Sequence, residues 1–299
     1  MNPRWVSPLR YPGGKVRMAP WLADVFAHLV GPMDVEVWVE PFGGGAGAAL
    51  MALESHGVPE AWVVEANPAL GAFWETVTEE GERLAVRVER TVPTMALFEE
   101  SRALVDAALA GEALDRWELG FAAFVVNRCS RSGMVSHNVG PIGGKRQAGR
   151  YALASRFNGP RLAERIRAVA AFGRRLRVFA GDGIGYVEDL AGSGLEDEVF
   201  LFVDPPYVGV GDALYAQGLS WGEHERLAAA LGSCPAPWVL TYDSHPEVLK
   251  LYPECEVVEF EAPHTAHRQG ISTEYLVLPE GLPVPDVHPL GKGDWWAVA

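Results

Sequence analysis

The chain has 299 residues, 48% hydrophobic and 21% charged, enough to bury one large core or one core and a smaller lobe. Its 39 acids against 25 bases give a net charge of −14, which excludes a uniformly basic nucleic-acid binder. No stretch reaches the length of a membrane span, and the opening MNPRWVSPLRYPGGK lacks the apolar core of a signal peptide, so a cytoplasmic location is expected.

In chain order, VEVWVEPFGGGAGAAL (35–50) reads as a strand, a glycine turn and a helix, and AWVVEAN (61–67) as a second strand ended by Asn67 and Pro68. From about 75 to 175 helical periodicity takes over, interrupted by a basic loop. The strand pattern returns in LRVFAGDG (176–183), VFLFVDPPY (199–207), PWVLTYDS (237–244), CEVVEFEA (255–262) and TEYLVLP (273–279), with HERLAAAL (224–231) a helix between two of them. Alternating strands and helices predict an α/β body from 1–75 and 176–280, an inserted and mainly helical lobe from 76–175, and a tail, 281–299, too rich in Pro and Gly for a regular element. Trp295 and Trp296 are expected to dock that tail.

The charge is unevenly placed. Between Arg128 and Arg177 there are 12 bases and one acid, Glu164, so this segment carries +11 and the remainder −25. RLAERIRAVAAFGRRLRV (161–178) is amphipathic, and part of its charge belongs to a solvated helix face. NRCSRSGMVSHNVGPIGGKRQAGRY (127–151) is too rich in Gly, Ser and Asn for a helix and still carries five bases, which predicts phosphate contact there.

Three acids end successive strands: Glu40, Glu65 and Asp182. PFGGGAG (41–47) follows the first and lacks the Gly-Lys-Ser/Thr of a phosphate loop. An acid at the second strand end is placed to hold ribose hydroxyls, so the set suits a phosphate-free nucleoside with a charged amino group. Any one of these acids could equally be a cap or turn residue. In FLFVDPPYV (200–208) a buried strand is stopped by Pro205 and Pro206, which throws Asp204 and Tyr207 out at the carboxyl edge, where open α/β sheets bind ligands. Cys129, Cys234 and Cys255 are odd in number and scattered, which speaks against disulfides and zinc. His264 and His267 lack further metal ligands nearby, and no metal is expected. Asp243, Ser244 and His245 are chain neighbours whose side chains diverge, so they do not read as a triad.

LRYPGGK, EPFGGGAG, the strand ending in Glu65 with Asn67 and Pro68, AGDG and DPPY resemble, in that order, the motifs of the Dam-type DNA adenine-N6 methyltransferases, over most of residues 7–280. The resemblance implies a Rossmann-like S-adenosylmethionine-dependent methyltransferase sheet carrying an inserted target-recognition lobe that opens with VVNRCSRSG. It implies Asp204, Pro205, Pro206 and Tyr207 as the catalytic turn. The Asp204 carboxylate and the Pro205 carbonyl would accept the N–H bonds of adenine's amine, and Tyr207 would stack on the base, which must first leave the duplex. By the same resemblance Tyr11, Gly13, Gly14, Lys15, Glu40, Pro41, Phe42, Gly43, Glu65, Asn67, Asp182, Gly183 and Asp204 would surround S-adenosylmethionine. Asn127, Arg128, Arg131, Ser132, Lys145, Arg146 and Arg150 would meet double-stranded DNA. Glu65 stands where the family more often has aspartate, and residues 128–160 depart from the Dam pattern, so the target need not be GATC. The family implies a bacterial or phage source, a monomer or weak dimer, and room for a cognate restriction endonuclease. Two further readings stay open: the same chemistry on cytosine N4 or on RNA, and a non-catalytic module that binds nucleic acid or cofactor.

Overall fold

A computed structural model describes residues 7–30, 34–208, 218–264, 270–290 and 295–298. The short apolar runs form strands, and the central ones, Val37–Glu40 and Val199–Val203 among them, are buried on both faces. β1 (Val37–Glu40), β2 (Glu60–Glu65), β3 (Leu176–Ala180), β4 (Val199–Val203) and β5 (Trp238–Asp243) are parallel. β6 (Glu256–His264), β7 (Gly270–Leu278) and β8 (Trp295–Ala297) add an antiparallel edge. The order is β3-β2-β1-β4-β5-β7-β6-β8, so the connections reverse direction between β1 and β4, and ligand crevices of open α/β sheets form at such a reversal.

Strand alternation assigns the two faces. In β4, Phe200 and Phe202 join one apolar core while Val199, Leu201 and Val203 join the other; in β1, Trp38 faces the first and Val37 and Val39 the second. Against the first face pack α1 (Ala19–Leu29), α2 (Gly47–Ser55) and α3 (Pro68–Arg90); α5 (Arg116–Cys129) and α6 (Gly159–Ala170) pack in turn on α3, and α4 (Met95–Leu109) on α5. α7 (Gly183–Leu190), α8 (Trp221–Ser233) and α9 (Pro246–Leu251) cover the second.

Three expectations change. The boundary at 75/76 falls inside α3, a 23-residue helix capped by Asn67, whose one non-helical residue is Glu80 (φ −129°, ψ 33°). The inserted segment shares the body's apolar cluster, in which Phe124 and Ile166 lie with Trp38 and Phe200. Asn127, Arg128 and Cys129, read as loop, are the last turn of α5. The tail contributes a strand: β8 pairs Trp296 with Glu259 of β6, satisfying backbone groups that an open sheet edge would leave bare. His267 and the side chains of His264, Trp295 and Trp296 lie outside the described residues. No helix of the described residues is long and apolar enough to cross a membrane.

Candidate active site

A cleft of about 650 Å³ opens at the carboxyl ends of β1, β2, β3 and β4, and its walls include Tyr11, Gly14, Lys15, Glu40, Pro41, Phe42, Gly43, Glu65, Asn67, Asp182, Gly183, Asp204 and Pro206. The expected cofactor residues thus converge, with Gly13 meeting the cleft through its carbonyl, which accepts from Lys15 Nζ at 3.0 Å. Glycine at 43 is dictated by proximity: its N–H donates to the Val64 carbonyl at 2.9 Å, and a Cβ there would stand 2.1 Å from Val63 Cγ1. At Gly183 a Cβ would lie 2.0 Å from the Pro41 carbonyl oxygen, so the turns after β1 and β3 touch through backbone.

Two buried acids floor the cleft. Glu65 accepts the Gly44 N–H on Oε2 and the Asn67 N–H on Oε1, each at 2.8 Å. Burial raises its pKa to about 7 against the pull of those two N–H groups. Glu40 Oε1 accepts from the Ala49 N–H at 2.6 Å and the Trp38 indole N–H at 3.2 Å. Burial raises Glu40 to about 8; its hydrogen bonds oppose this, and the Asp204 charge adds to it. Two other residues are partly spent on structure. Asn67 Oδ1 accepts from the Ala69 and Leu70 N–H groups to cap α3, and its Nδ2 donates to the Val135 carbonyl at 2.7 Å, tying the inserted lobe to the cleft. Asp182 caps α7 through the Ile184 N–H at 3.0 Å and pairs with Arg226 at 3.0 Å, so the cap role and a place in the cleft wall coincide.

The proline turn after β4 sets Asp204 into a dense polar cluster. Lys15 Nζ donates to its Oδ1 at 2.8 Å and Oδ2 at 3.0 Å. Oδ1 also accepts from the Thr241 hydroxyl at 2.7 Å and from the Tyr207 hydroxyl at 3.2 Å. Lys15 Nζ and the Tyr207 hydroxyl are 2.6 Å apart. Glu274, on β7, stands 3.7 Å from Lys15 Nζ. Burial pushes its carboxyl up, countered by the Lys15 charge. Thr241 and Glu274 were not legible as site residues: each sits in an ordinary strand pattern and reaches Asp204 or Lys15 only through sheet pairing.

The basic lobe divides. Asn127, expected on DNA, is fully buried; Oδ1 accepts the Arg10 N–H at 2.9 Å and Nδ2 donates to the Arg10 carbonyl at 2.7 Å, so it fastens the Tyr11–Lys15 segment to α5 and has no surface to offer a phosphate. Ser132 is exposed and accepts the Met134 N–H. Arg128 donates to the Arg156 carbonyl at 2.6 and 2.9 Å and, with Arg10, Arg156 and Arg165, lines a second cavity of about 250 Å³ bordering the Gly45–Gly47 turn. Burial and then the neighbouring Arg10 and Arg165 charges lower the Arg128 pKa to about 9. Arg131, Lys145, Arg146 and Arg150 are exposed. Arg167 is spent on Glu82 at 2.8 Å and Glu89 at 3.2 Å. Among the described residues no group of three or more His, Cys, Asp or Glu is placed to hold a metal.

No family model matches the sequence, and no curated protein matches it. Among solved structures, two of the rRNA methyltransferase AviRa from Streptomyces viridochromogenes, at 1.5 and 2.4 Å, align over 90% of this chain and 86% of that chain, with 16% sequence identity and TM-scores of 0.37 and 0.35.

Proposed function

We propose that this chain moves a methyl group from S-adenosylmethionine to the N6 amine of an adenine taken out of double-stranded DNA. The observation that carries the reading is the position of Asp204: a carboxylate delivered by the Asp-Pro-Pro-Tyr turn into the same cleft as two buried acids and a glycine turn. The cleft suits this cofactor. Glu40 and Glu65, whose burial favours their protonated forms, gain most from a ligand bringing hydroxyl donors and a cation, and a phosphate would meet two acids with Lys15 already held by Asp204. When bound, S-adenosylmethionine supplies an electrophilic methyl group on a sulfonium.

The protein's share of the chemistry is positioning and charge. An exocyclic amine is a poor nucleophile because its lone pair is delocalised into the ring. Asp204, fixed by Thr241, accepts one amine N–H and stabilises the positive charge that grows on nitrogen in the transition state. Tyr207, half-buried beside it, offers a ring for the base to stack on. The guanidinium-lined second cavity and the exposed Lys145, Arg146 and Arg150 supply anion contacts for a phosphate backbone. An amine of RNA or of cytosine poses the same chemical problem, and ribosomal RNA is the substrate named for AviRa.

Nucleoside analysis of DNA and RNA from cells making the parent chain or its Asp204→Asn variant tests the reading. N6-methyladenine in DNA, absent with Asp204→Asn, is expected. Methylated RNA nucleosides or N4-methylcytosine would move the substrate and keep the chemistry. No methylated base in either polymer from folded parent protein would overturn the reading.

A further inference from the structure

Asp204 Oδ1 is crowded with donors and Oδ2 carries one. Lys15 donates to both carboxylate oxygens, and Thr241 and Tyr207 add hydroxyl donors to Oδ1. A base amine donating to Oδ1 would have to displace a donor, and one donating to Oδ2 would share that oxygen with the Lys15 ammonium. Thr241 belongs to β5 and is buried; Lys15 has a long stem with rotatable bonds and is the donor able to leave. Its charge must also leave for a catalytic reason, because an ammonium on Asp204 cancels the negative charge that would stabilise the developing cation. A buried ammonium released into an apolar wall would be costly unless a second acceptor is in reach.

Such an acceptor is present. The Glu274 carboxylate has Tyr207 and Lys15 as its polar neighbours; its buried Oε2 accepts no bond of ordinary geometry and stands 3.7 Å from Lys15 Nζ, a shift of about 1 Å from an ordinary charge-assisted bond. β7 holds it there by pairing Glu274 with Asp243 of β5 and Phe260 of β6.

We propose that Glu274 is a second seat for the Lys15 ammonium, taken when a substrate amine claims Asp204, so that Lys15 holds Asp204 until the amine arrives and Glu274 receives the ammonium afterwards. This assignment of the trigger rests on the amine-methylation reading above; the seat itself does not. Glu274 is then a positioning residue, acting on substrate only through Lys15.

Two experiments test it. In a crystal structure of the Asp204→Asn protein without ligands, Lys15 Nζ should move to within about 3 Å of Glu274 Oε2; a lysine that keeps the parental separation overturns the second seat. At saturating cofactor, Glu274→Gln should raise the KM for nucleic acid about tenfold while kcat changes less than about threefold, since the loss is one charge-assisted acceptor for the displaced ammonium. In a Lys15→Met background the same substitution should change KM by less than about twofold. A merely structural role predicts equal effects in both backgrounds, and that result overturns the proposal. If the parent methylates neither polymer while the lysine moves in Asp204→Asn, the methyl-transfer reading falls and the seat stands.

Discussion

At the scale of single residues, Glu40 and Glu65 link the cleft to pH. Burial raises both above the ordinary carboxylate value of 4.5, to about 8 and about 7. A carboxyl whose pKa is higher in the folded chain keeps protons that the unfolded chain has lost. Each group therefore lowers the stability of the fold as pH rises from about 4.5, levelling off above about 7 for Glu65 and about 8 for Glu40. A ligand that offers hydroxyl donors or a cation favours the carboxylates, so it must expel protons below those values. S-adenosylmethionine should accordingly bind more tightly from pH 6 to 8, and calorimetry at pH 6.5 in buffers of different ionisation enthalpy should show net proton release; proton uptake, or a flat pH response, would remove these acids from the binding site. Glu65→Ala should weaken binding about ten- to a hundredfold, the worth of a charge-assisted acceptor. Glu65→Asp should fall between, because the shorter side chain cannot hold the Gly44 and Asn67 N–H groups together as Glu65 does.

At the scale of elements, the first turn of α3 joins body and lobe. Asn67 satisfies two N–H groups of that turn and the Val135 carbonyl, so Asn67→Ala removes a cap and a cross-link together. Loss of a cap costs about 0.5–2 kcal/mol, and the stranded Val135 carbonyl adds to it. A lower Tm with a larger loss of nucleic-acid binding than of cofactor binding is expected from thermal melts and binding isotherms. A Tm equal to the parent's would show that neither the cap nor the cross-link matters. The same element shows what the sequence could tell. The strands β1 to β5 were legible because apolar runs stop at Pro, Gly, Asn or Asp, and Asp204, Glu40 and Glu65 were legible because they end those runs. The lobe boundary was not, since no proline marks the kink at Glu80 and the chain continues helical to Arg90; Gly81 is there because α6 presses on it, with Ala170 Cβ 2.4 Å from where a side chain would begin. β8 was hidden by its Gly- and Pro-rich approach, and exists because β6 offers it an edge. Glu274 looked like an alternating polar position, and only the β5–β7 pairing carries it to Lys15.

At the scale of the whole molecule, a body of charge −25 bears a segment of charge +11, and a polyanion is steered by the difference. Part of the positive charge is unavailable: Arg167 answers the acids of α3, and Arg175 donates to the Val58 and Pro59 carbonyls. The exposed bases include Arg131, Arg161 and Arg174 and, closest together in the chain, Lys145, Arg146 and Arg150, on a loop that starts beyond the Ser130–Pro141 bridge. Replacing Lys145 and Arg146 with alanine should weaken nucleic-acid binding and lower the dependence of log affinity on log salt by about two units, one for each phosphate no longer neutralised, with Tm and cofactor affinity unchanged. Arg128→Ala should behave differently, because Arg128 also holds the Arg156 and Pro8 carbonyls: its salt slope should fall and its Tm with it. Titrations across salt concentrations, paired with melting curves, separate the two classes. A salt slope that stays parental in the Lys145, Arg146 double variant would mean that this loop is a solvated surface and that the polyanion, if one binds, lies along the arginine-lined cavity instead.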